Sequence, residues 1–157
     1  MIILSIDSGI EKTGYAIFKK DKSYKYLSSG LIKTDKNDPI TVRIKEIYNK
    51  VKSLIIKYKP NTIVLEQVFF FRNQKTAIKI GQTQGAIILI AGQYNISLNF
   101  LTPLQIKLAV TGYGQADKKA VKKMVELTLN KKVKIIDDDQ SDAIACGLTY
   151  CILNKNI

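Results

Sequence analysis

The stretch "MIILSIDSGIEKTGYAIFKK", residues 1–20, decides the fold class, because it has the pattern of two β-strands joined by a turn. Apolar and β-branched residues fill 2–8 and 13–20, and "SGIEKTG" between them supplies turn residues. Residues 23–33 continue the pattern as a third strand, so the chain is predicted to begin with a meander of strands. Asp7 stands at the carboxyl end of the first strand, where a buried carboxylate would need a partner.

Helices and strands alternate after this meander. Apolar residues from Ile40 to Ile55 recur at helical spacing, with Asp38 as the predicted N-cap, Pro39 at the first helical position and Pro60 after the end. The remaining predicted elements are strands at 61–67 and 96–101 and helices near 74–93, 103–110, 117–130 and 140–154. This order predicts an α/β fold, with a five-stranded mixed sheet flanked by helices in one domain over residues 1–157.

The composition excludes several classes of function. Of the 157 residues 46% are hydrophobic and 24% charged, as in globular proteins, and the longest apolar stretch, 85–92, is shorter than the ~20 residues of a membrane span. The first residues lack the basic region of a signal peptide, so we expect a cytoplasmic protein (in the host cell, if a phage encodes it) with no membrane partner. The chain has no histidine, which excludes His-based catalysis and argues against zinc.

The net charge of +12 suggests a polyanionic partner, because Lys and Arg neutralise the phosphates of nucleic acids. Only Arg43 and Arg72 are arginines, however, and the abundance of Lys, Ile and Asn is what AT-rich coding would produce. The charge alone therefore leaves two interpretations open: nucleic-acid binding and codon bias.

Four acids are placed where a sheet and a helix could bring them together. Asp7 and Glu66 each end a strand that is predicted to be central, and open α/β sheets bind ligands at that edge. In "DDDQSDAIAC", 137–146, Asp139 and Asp142 would project from one face of a helix start. No Lys or Arg lies within two positions of Asp7, Glu66 or Asp142, so the cluster is expected to need a cation, and carboxylate oxygens select Mg²⁺ or Mn²⁺.

Each acid also has a plainer interpretation. Asp7 before Gly9 could be a turn residue, and Asp139 could be only a helix N-cap. Glu66 is the hardest to explain in this way, because an acid is disfavoured in a buried strand. The prediction of a site therefore depends on the set of acids and not on any one of them.

With these residues in place, the chain resembles the RuvC family of Holliday-junction resolvases over nearly its whole length. The resemblance is carried by "MIILSIDSGIEKTGYAI", "LEQVFFFRNQKTAIKIGQTQGA", "TPLQIKLAVTGYGQADKKAV" and "DDDQSDAIACGL". It implies an RNase H-like fold, a homodimer, and two Mg²⁺ ions per subunit, with Mn²⁺ able to substitute. The motif places both the metal ligands and the catalytic acids at Asp7, Glu66, Asp139 and Asp142. Ser8 departs from the family, which usually has proline there.

The resemblance also assigns residues to DNA. Lys107 and Lys118 match family positions near the scissile phosphate, where they would neutralise charge developing in the transition state, although each could be an ordinary solvated lysine. Phe69 matches an aromatic beside the junction centre, where a ring can stack on an unpaired base, whereas Phe70 and Phe71 are expected in the core or a dimer interface. The other predicted DNA-binding residues are Arg72, Gly112, Gly114 and Lys119; the two glycines would let backbone N–H groups approach a phosphate.

The implied reaction is in-line attack of water on a phosphodiester between two metals ~4 Å apart, with Glu66, expected to be the most enclosed acid, bridging or orienting metal and water. Paired nicks across a four-way junction require a two-fold dimer. The helix at 74–93 is a plausible interface, because Gly81 and Gly85 permit close approach and 86–91 is apolar on every side. A helix fully buried in a monomer is the alternative.

Two other functions remain open at this level. One is a nuclease of the same fold that cuts forks, flaps or RNA–DNA hybrids, and the other is a non-catalytic junction-binding protein. The sequence does not decide the preferred cleavage sequence, whether a branch-migration motor is a partner, or whether the source is bacterial, phage or organellar.

Overall fold

One mixed sheet, flanked by helices, forms the centre of the protein. The structure, a computed structural model, describes residues 1–68, 74–129 and 134–154. The strands are β1 (Ile2–Asp7), β2 (Lys12–Lys20), β3 (Tyr24–Lys33), β4 (Thr62–Glu66) and β5 (Ser97–Leu101). The helices are α1 (Ile40–Tyr58), α2 (Gln74–Gln93), α3 (Pro103–Thr111), α4 (Lys118–Thr128) and α5 (Asp138–Leu153). The predicted five-stranded mixed sheet is confirmed.

The sheet order β3-β2-β1-β4-β5 makes β1 and β4 internal strands. β1 runs antiparallel to β2 and parallel to β4, and β4 is parallel to β5. Residues alternate between the two faces: Ile3 and Val64 belong to the core covered by α3, α4 and α5, whereas Leu4 and Leu65 belong to the core beneath α1 and α2. The carboxyl ends of the parallel strands β1 and β4 therefore meet at one edge of the sheet.

α5 packs directly on the sheet and crosses β1 and β2. Its apolar residues Ile144, Ala145, Leu148 and Cys151 are buried. Cys151 and Cys146 are both free thiols. Throughout 1–68, 74–129 and 134–154, the helices are too short or too polar to span a bilayer.

Two predicted helix starts differ from the structure. Asp38 does not cap α1: Pro39, whose ψ of 146° keeps it outside the helix, is itself the N-cap residue and has no side chain that could make a cap hydrogen bond. α5 begins at Asp138, two residues before the predicted start. Its N-cap is Asp137, whose carboxylate accepts from the backbone N–H of Asp139 at 3.2 Å, so Asp139 itself lies inside the first turn and is not the cap.

Candidate active site

A cavity of about 820 Å³ opens at the sheet edge where β1 and β4 end. All four predicted acids line it, together with two of the predicted lysines: Asp7, Glu66, Asp139, Asp142, Lys107 and Lys118. Residues from five different elements thus surround one space, and the acids that are remote in sequence are brought together.

The sheet and α5 position these acids. The parallel register of Ile6 with Leu65 places Asp7 and Glu66, the next residues, side by side at the strand ends. The Ser5 hydroxyl donates to the carbonyl oxygen of Ala143 at 2.7 Å, which fixes α5 across β1. The first turns of α5, with Asp139 and Asp142, therefore reach the same edge.

Burial and electrostatic interactions with neighbouring acids raise the pKa of Asp7, Glu66 and Asp139. The pKa of Asp7 rises from 3.8 to about 8, first because the carboxyl is buried and then because Asp142, Glu66 and Asp139 repel its charge. Burial is also the largest cause of the raised pKa of Glu66, followed by repulsion from Asp142. The pKa of Asp139 is raised by burial and by its hydrogen bond with Asp137. The carboxyl of Asp7 is more deeply buried than that of Glu66, contrary to the expectation that Glu66 would be the most enclosed acid.

Lysines on α3 and α4 supply positive charge next to the acids, although they are far from them in the sequence. Lys118 Nζ lies 3.0 Å from Asp142 Oδ2, and this hydrogen bond raises the pKa of the lysine. Lys107 lines the cavity and opposes the raised pKa of Glu66. α4 brings Lys118 to Asp142 across 24 positions, so this acid has a cation beside it although no Lys or Arg is near it in the sequence.

The donor set has the chemistry of a site for hard divalent cations. Four carboxylates face the cavity, and the chain has no histidine to recruit zinc or copper. As the side chains stand, no group of three or more potential ligands within the described ranges is arranged to hold a metal ion. For a cation to bind, the carboxylates would therefore have to move closer to one another. Asp142 would also have to separate from Lys118.

The predicted DNA-binding residues have mixed outcomes. Phe69, Phe70, Phe71 and Arg72 lie outside the described residues, and Lys119 is exposed beyond the cavity lining. The backbone N–H of Gly112 donates to Leu108 O at 2.9 Å, closing the end of α3, and the approach of a phosphate to this loop stays a prediction. Gly114 packs against Leu104, where an added Cβ would lie 2.5 Å from Leu104 Cδ1.

Sequence reasoning missed two residues that support the site. Gln84 on α2 donates to the backbone carbonyl of Glu66 at 2.8 Å and so fixes the end of β4. Lys12, at the start of β2, forms an ion pair of 2.6 Å with Asp137, the N-cap of α5. A glutamine in a helix and a lysine in a lysine-rich chain carry no local signal of such roles.

The raised pKa of Asp7 predicts a pH dependence for the stability of the metal-free protein. An unfolded Asp loses its proton near 3.8, whereas the folded protein retains it up to about 8. Between these values the folded state binds more protons, so the free energy of unfolding falls as pH rises. In EDTA we expect the melting temperature to fall from about pH 5 to about pH 8, and Asp7→Asn to flatten this slope. Circular dichroism melts measure both; equal slopes for the two proteins would contradict the prediction.

Comparison with known proteins gives consistent matches. The family model for crossover junction endodeoxyribonuclease RuvC matches residues 3–150. The RuvC of Brachyspira hyodysenteriae is 41% identical over 156 residues, which cover 99% of this chain and 96% of that protein. The RuvC of Dictyoglomus thermophilum is 42% identical over 151 residues, or 96% of each chain. The solved structure of T. thermophilus RuvC in complex with a Holliday junction substrate superposes with a TM-score of 0.89 at 27% identity, covering 99% of this chain and 95% of that one.

Proposed function

Because the chain belongs to the RuvC family of crossover junction endodeoxyribonucleases, we propose that it resolves four-way DNA junctions by metal-dependent hydrolysis of one phosphodiester in each of two strands. The observation that carries the proposal is the convergence of Asp7, Glu66, Asp139 and Asp142 on one cavity. Two lysines on the same cavity provide charge of the sign that a phosphate substrate needs.

The four carboxylates would hold two Mg²⁺ ions, with Mn²⁺ able to substitute. Ions held there would supply a means of activating water and of stabilising charge on the leaving oxygen of the phosphodiester. Lys107 would neutralise charge on the scissile phosphate. Lys118 is paired with one anion, Asp142, at 3.0 Å, and would exchange it for another, the phosphate.

We also propose that Phe69, Arg72 and Lys119 contact the DNA, as the resemblance to the family implies. Val68, the residue before Phe69, lines the cavity. Stacking of the Phe69 ring on an unpaired base at the crossover would be worth ~1–3 kcal/mol per base. The partner of the site is thus branched DNA, with or without a branch-migration motor.

Two nicks need two sites, so we propose a homodimer formed through α2. The helix is not fully buried: Ile87 and Ile90 face the core, whereas Leu89 is 58% exposed and Ile88 is 44% exposed. A groove of about 430 Å³ beside Leu89, lined also by Ile44 and Ala86, extends this apolar surface onto α1. These residues favour the dimer over the alternative of a helix buried in a monomer.

Sedimentation velocity tests the dimer. We expect the wild type to sediment as a species of about twice the 17.6 kDa mass of the chain. Leu89→Asp is expected to sediment as a monomer, because the dimer would have to bury the introduced charge in its interface. Leu153→Asp is the matched control, since Leu153 is also an exposed leucine but lies at the far end of α5. A monomeric wild type at assay concentrations, or a dimeric Leu89→Asp, would contradict this interface.

The proposed activity is tested with a synthetic four-way junction, a fork and a linear duplex, each incubated in Mg²⁺. Symmetric paired nicks confined to the junction are the expected result. Cutting of forks or of every substrate would instead indicate a nuclease of broader specificity. Binding without cutting, with Asp7→Asn indistinguishable from wild type, would indicate a junction-binding protein without catalysis.

A further inference from the structure

Gly14 lies where β2 meets the backbone at the start of α5. In the antiparallel pairing of β1 and β2, Gly14 is directly opposite Asp7. A β-carbon at residue 14 would lie 1.9 Å from the carbonyl oxygen of Asp139 and 2.4 Å from its carbonyl carbon. In ordinary packing, a Cβ atom lies 3.4 Å or more from the nearest non-bonded heavy atom. The backbone of Asp139 can therefore approach β2 this closely only because residue 14 has no side chain.

Gly147 makes a second close contact between α5 and the sheet, but of another kind. A β-carbon there would lie 2.4 Å from Phe18 Cε2 and 2.5 Å from Ser5 Oγ, which are side-chain atoms in the core. At ~1.5 Å per residue, Gly147 is ~12 Å along the helix from Asp139. A side chain added at Gly147 would therefore disturb the packing of the core. A side chain added at Gly14 would instead displace the backbone of Asp139, which carries a carboxylate of the site.

An ion pair holds the start of α5 against the same strand. Lys12, two residues before Gly14 on β2, lies 2.6 Å from Asp137 Oδ2. The other carboxylate oxygen of Asp137 accepts from the backbone N–H of Asp139 at 3.2 Å. β2 thus contacts the segment of Asp139 twice, once through a glycine and once through a charged pair.

We propose that Gly14, assisted by the Lys12–Asp137 ion pair, is a positioning residue that sets how closely Asp139 and Asp142 approach Asp7, and thereby how tightly the site holds divalent cations. The inference rests on the proposed metal-dependent function. Its physical basis is that Mg²⁺ accepts only a narrow range of oxygen distances, near 2.0–2.1 Å, so a small displacement of the helix start spoils the ligand geometry. A misplacement of ~1 Å can lower a catalytic rate ~10²-fold.

Gly14→Ala and Gly147→Ala form a matched pair, because each adds one methyl group between α5 and the sheet. For Gly14→Ala we expect Mn²⁺ binding, measured by calorimetry without DNA, to weaken ~10–100-fold, as for other residues that orient metal ligands. Its kcat on the junction falls ~10²-fold while KM for the junction stays unchanged. Gly147→Ala lowers the melting temperature but weakens Mn²⁺ binding less than Gly14→Ala does, because its added methyl group meets side chains of the core, Phe18 and Ser5, and not the backbone of Asp139.

Lys12 provides a milder test, since its own side chain is 47% exposed, although the Asp137 side chain with which it pairs is only 15% exposed. Lys12→Met is expected to weaken Mn²⁺ binding in the same direction as Gly14→Ala, and Lys12→Arg to restore it by re-forming the pair with Asp137. The melting temperature should fall less than in Gly14→Ala, because no atom is forced against the backbone of Asp139.

The outcomes separate this inference from the proposed function. A wild type that binds no Mn²⁺ would refute the metal-dependent function itself. A wild type that binds Mn²⁺, with Gly14→Ala equal to it, would refute only the positioning role. Equal weakening of Mn²⁺ binding by Gly14→Ala and Gly147→Ala would show that any disturbance of α5 packing has this effect, and would also overturn the assignment to Gly14.

Discussion

Asp7→Asn is expected to lower junction cleavage by on the order of 10³–10⁵-fold, the loss typical of removing one member of a catalytic group. Asp7 is the acid on which the other three carboxylates act together, since Asp142, Glu66 and Asp139 all raise its pKa. The amide keeps the size of the side chain but removes the charge that a bound cation requires. Binding of the junction itself, which depends on lysines and on shape, should persist.

The measurement is single-turnover cleavage of a labelled four-way junction in Mg²⁺, with binding followed in Ca²⁺ or EDTA. Asp21→Asn is the matched control, because it makes the same chemical change at an exposed aspartate between β2 and β3. Asp21→Asn should cut at the wild-type rate. Cleavage by Asp7→Asn at a rate near that of the wild type would remove the acid cluster from the mechanism.

Lys118→Met is expected to reduce cleavage ~10²–10³-fold, as the loss of one donor that stabilises transition-state charge does. The same change should not weaken metal binding. Lys118 Nζ lies 3.0 Å from Asp142 Oδ2, so the lysine competes with a cation for this carboxylate. Without the lysine, Asp142 is free to act as a ligand, and we expect the Mn²⁺ dissociation constant to stay the same or to fall.

Opposite movements of the rate and the metal affinity distinguish this prediction from simple damage to the site. Lys122→Met is the control, since Lys122 is on the same helix and pairs with Asp138 at 3.1 Å, but does not line the cavity. It should leave both quantities unchanged within about twofold, as expected for a surface ion pair. A Lys118→Met protein with full activity, or with weakened Mn²⁺ binding, would contradict the double role of Lys118.

Most of the fold could be predicted from local patterns. The five strands and the helices follow from alternating and helical apolar spacing, and the structure confirms their order. The start of α5 was misplaced because Asp137, Asp138 and Asp139 are equivalent as sequence signals for a cap. Only backbone geometry selects Asp137, whose carboxylate accepts from the N–H of Asp139.

The acids of the site could also be predicted, but their surroundings could not. Asp7 and Glu66 can be recognised from the local sequence, because a carboxylate at the end of a buried apolar strand is unusual. The pairing of Lys118 with Asp142 joins residues 24 positions apart, and that of Lys12 with Asp137 joins residues 125 positions apart. In a chain with 25 basic residues, nothing local distinguishes these two lysines: Lys118 was predicted only from its match to the family, and Lys12 was not predicted.

The sequence by itself thus determined which strands are central, which four carboxylates can meet and which chemistry they can support, because periodicity, strand ends and side-chain type are local properties. Only the tertiary structure decided that Lys118 pairs with Asp142 and Lys12 with Asp137, that the backbone N–H of Gly112 is already used, and that the backbone of Asp139 lies against Gly14. These facts depend on where α4 and α5 cross the sheet, and that placement results from the packing of the whole core.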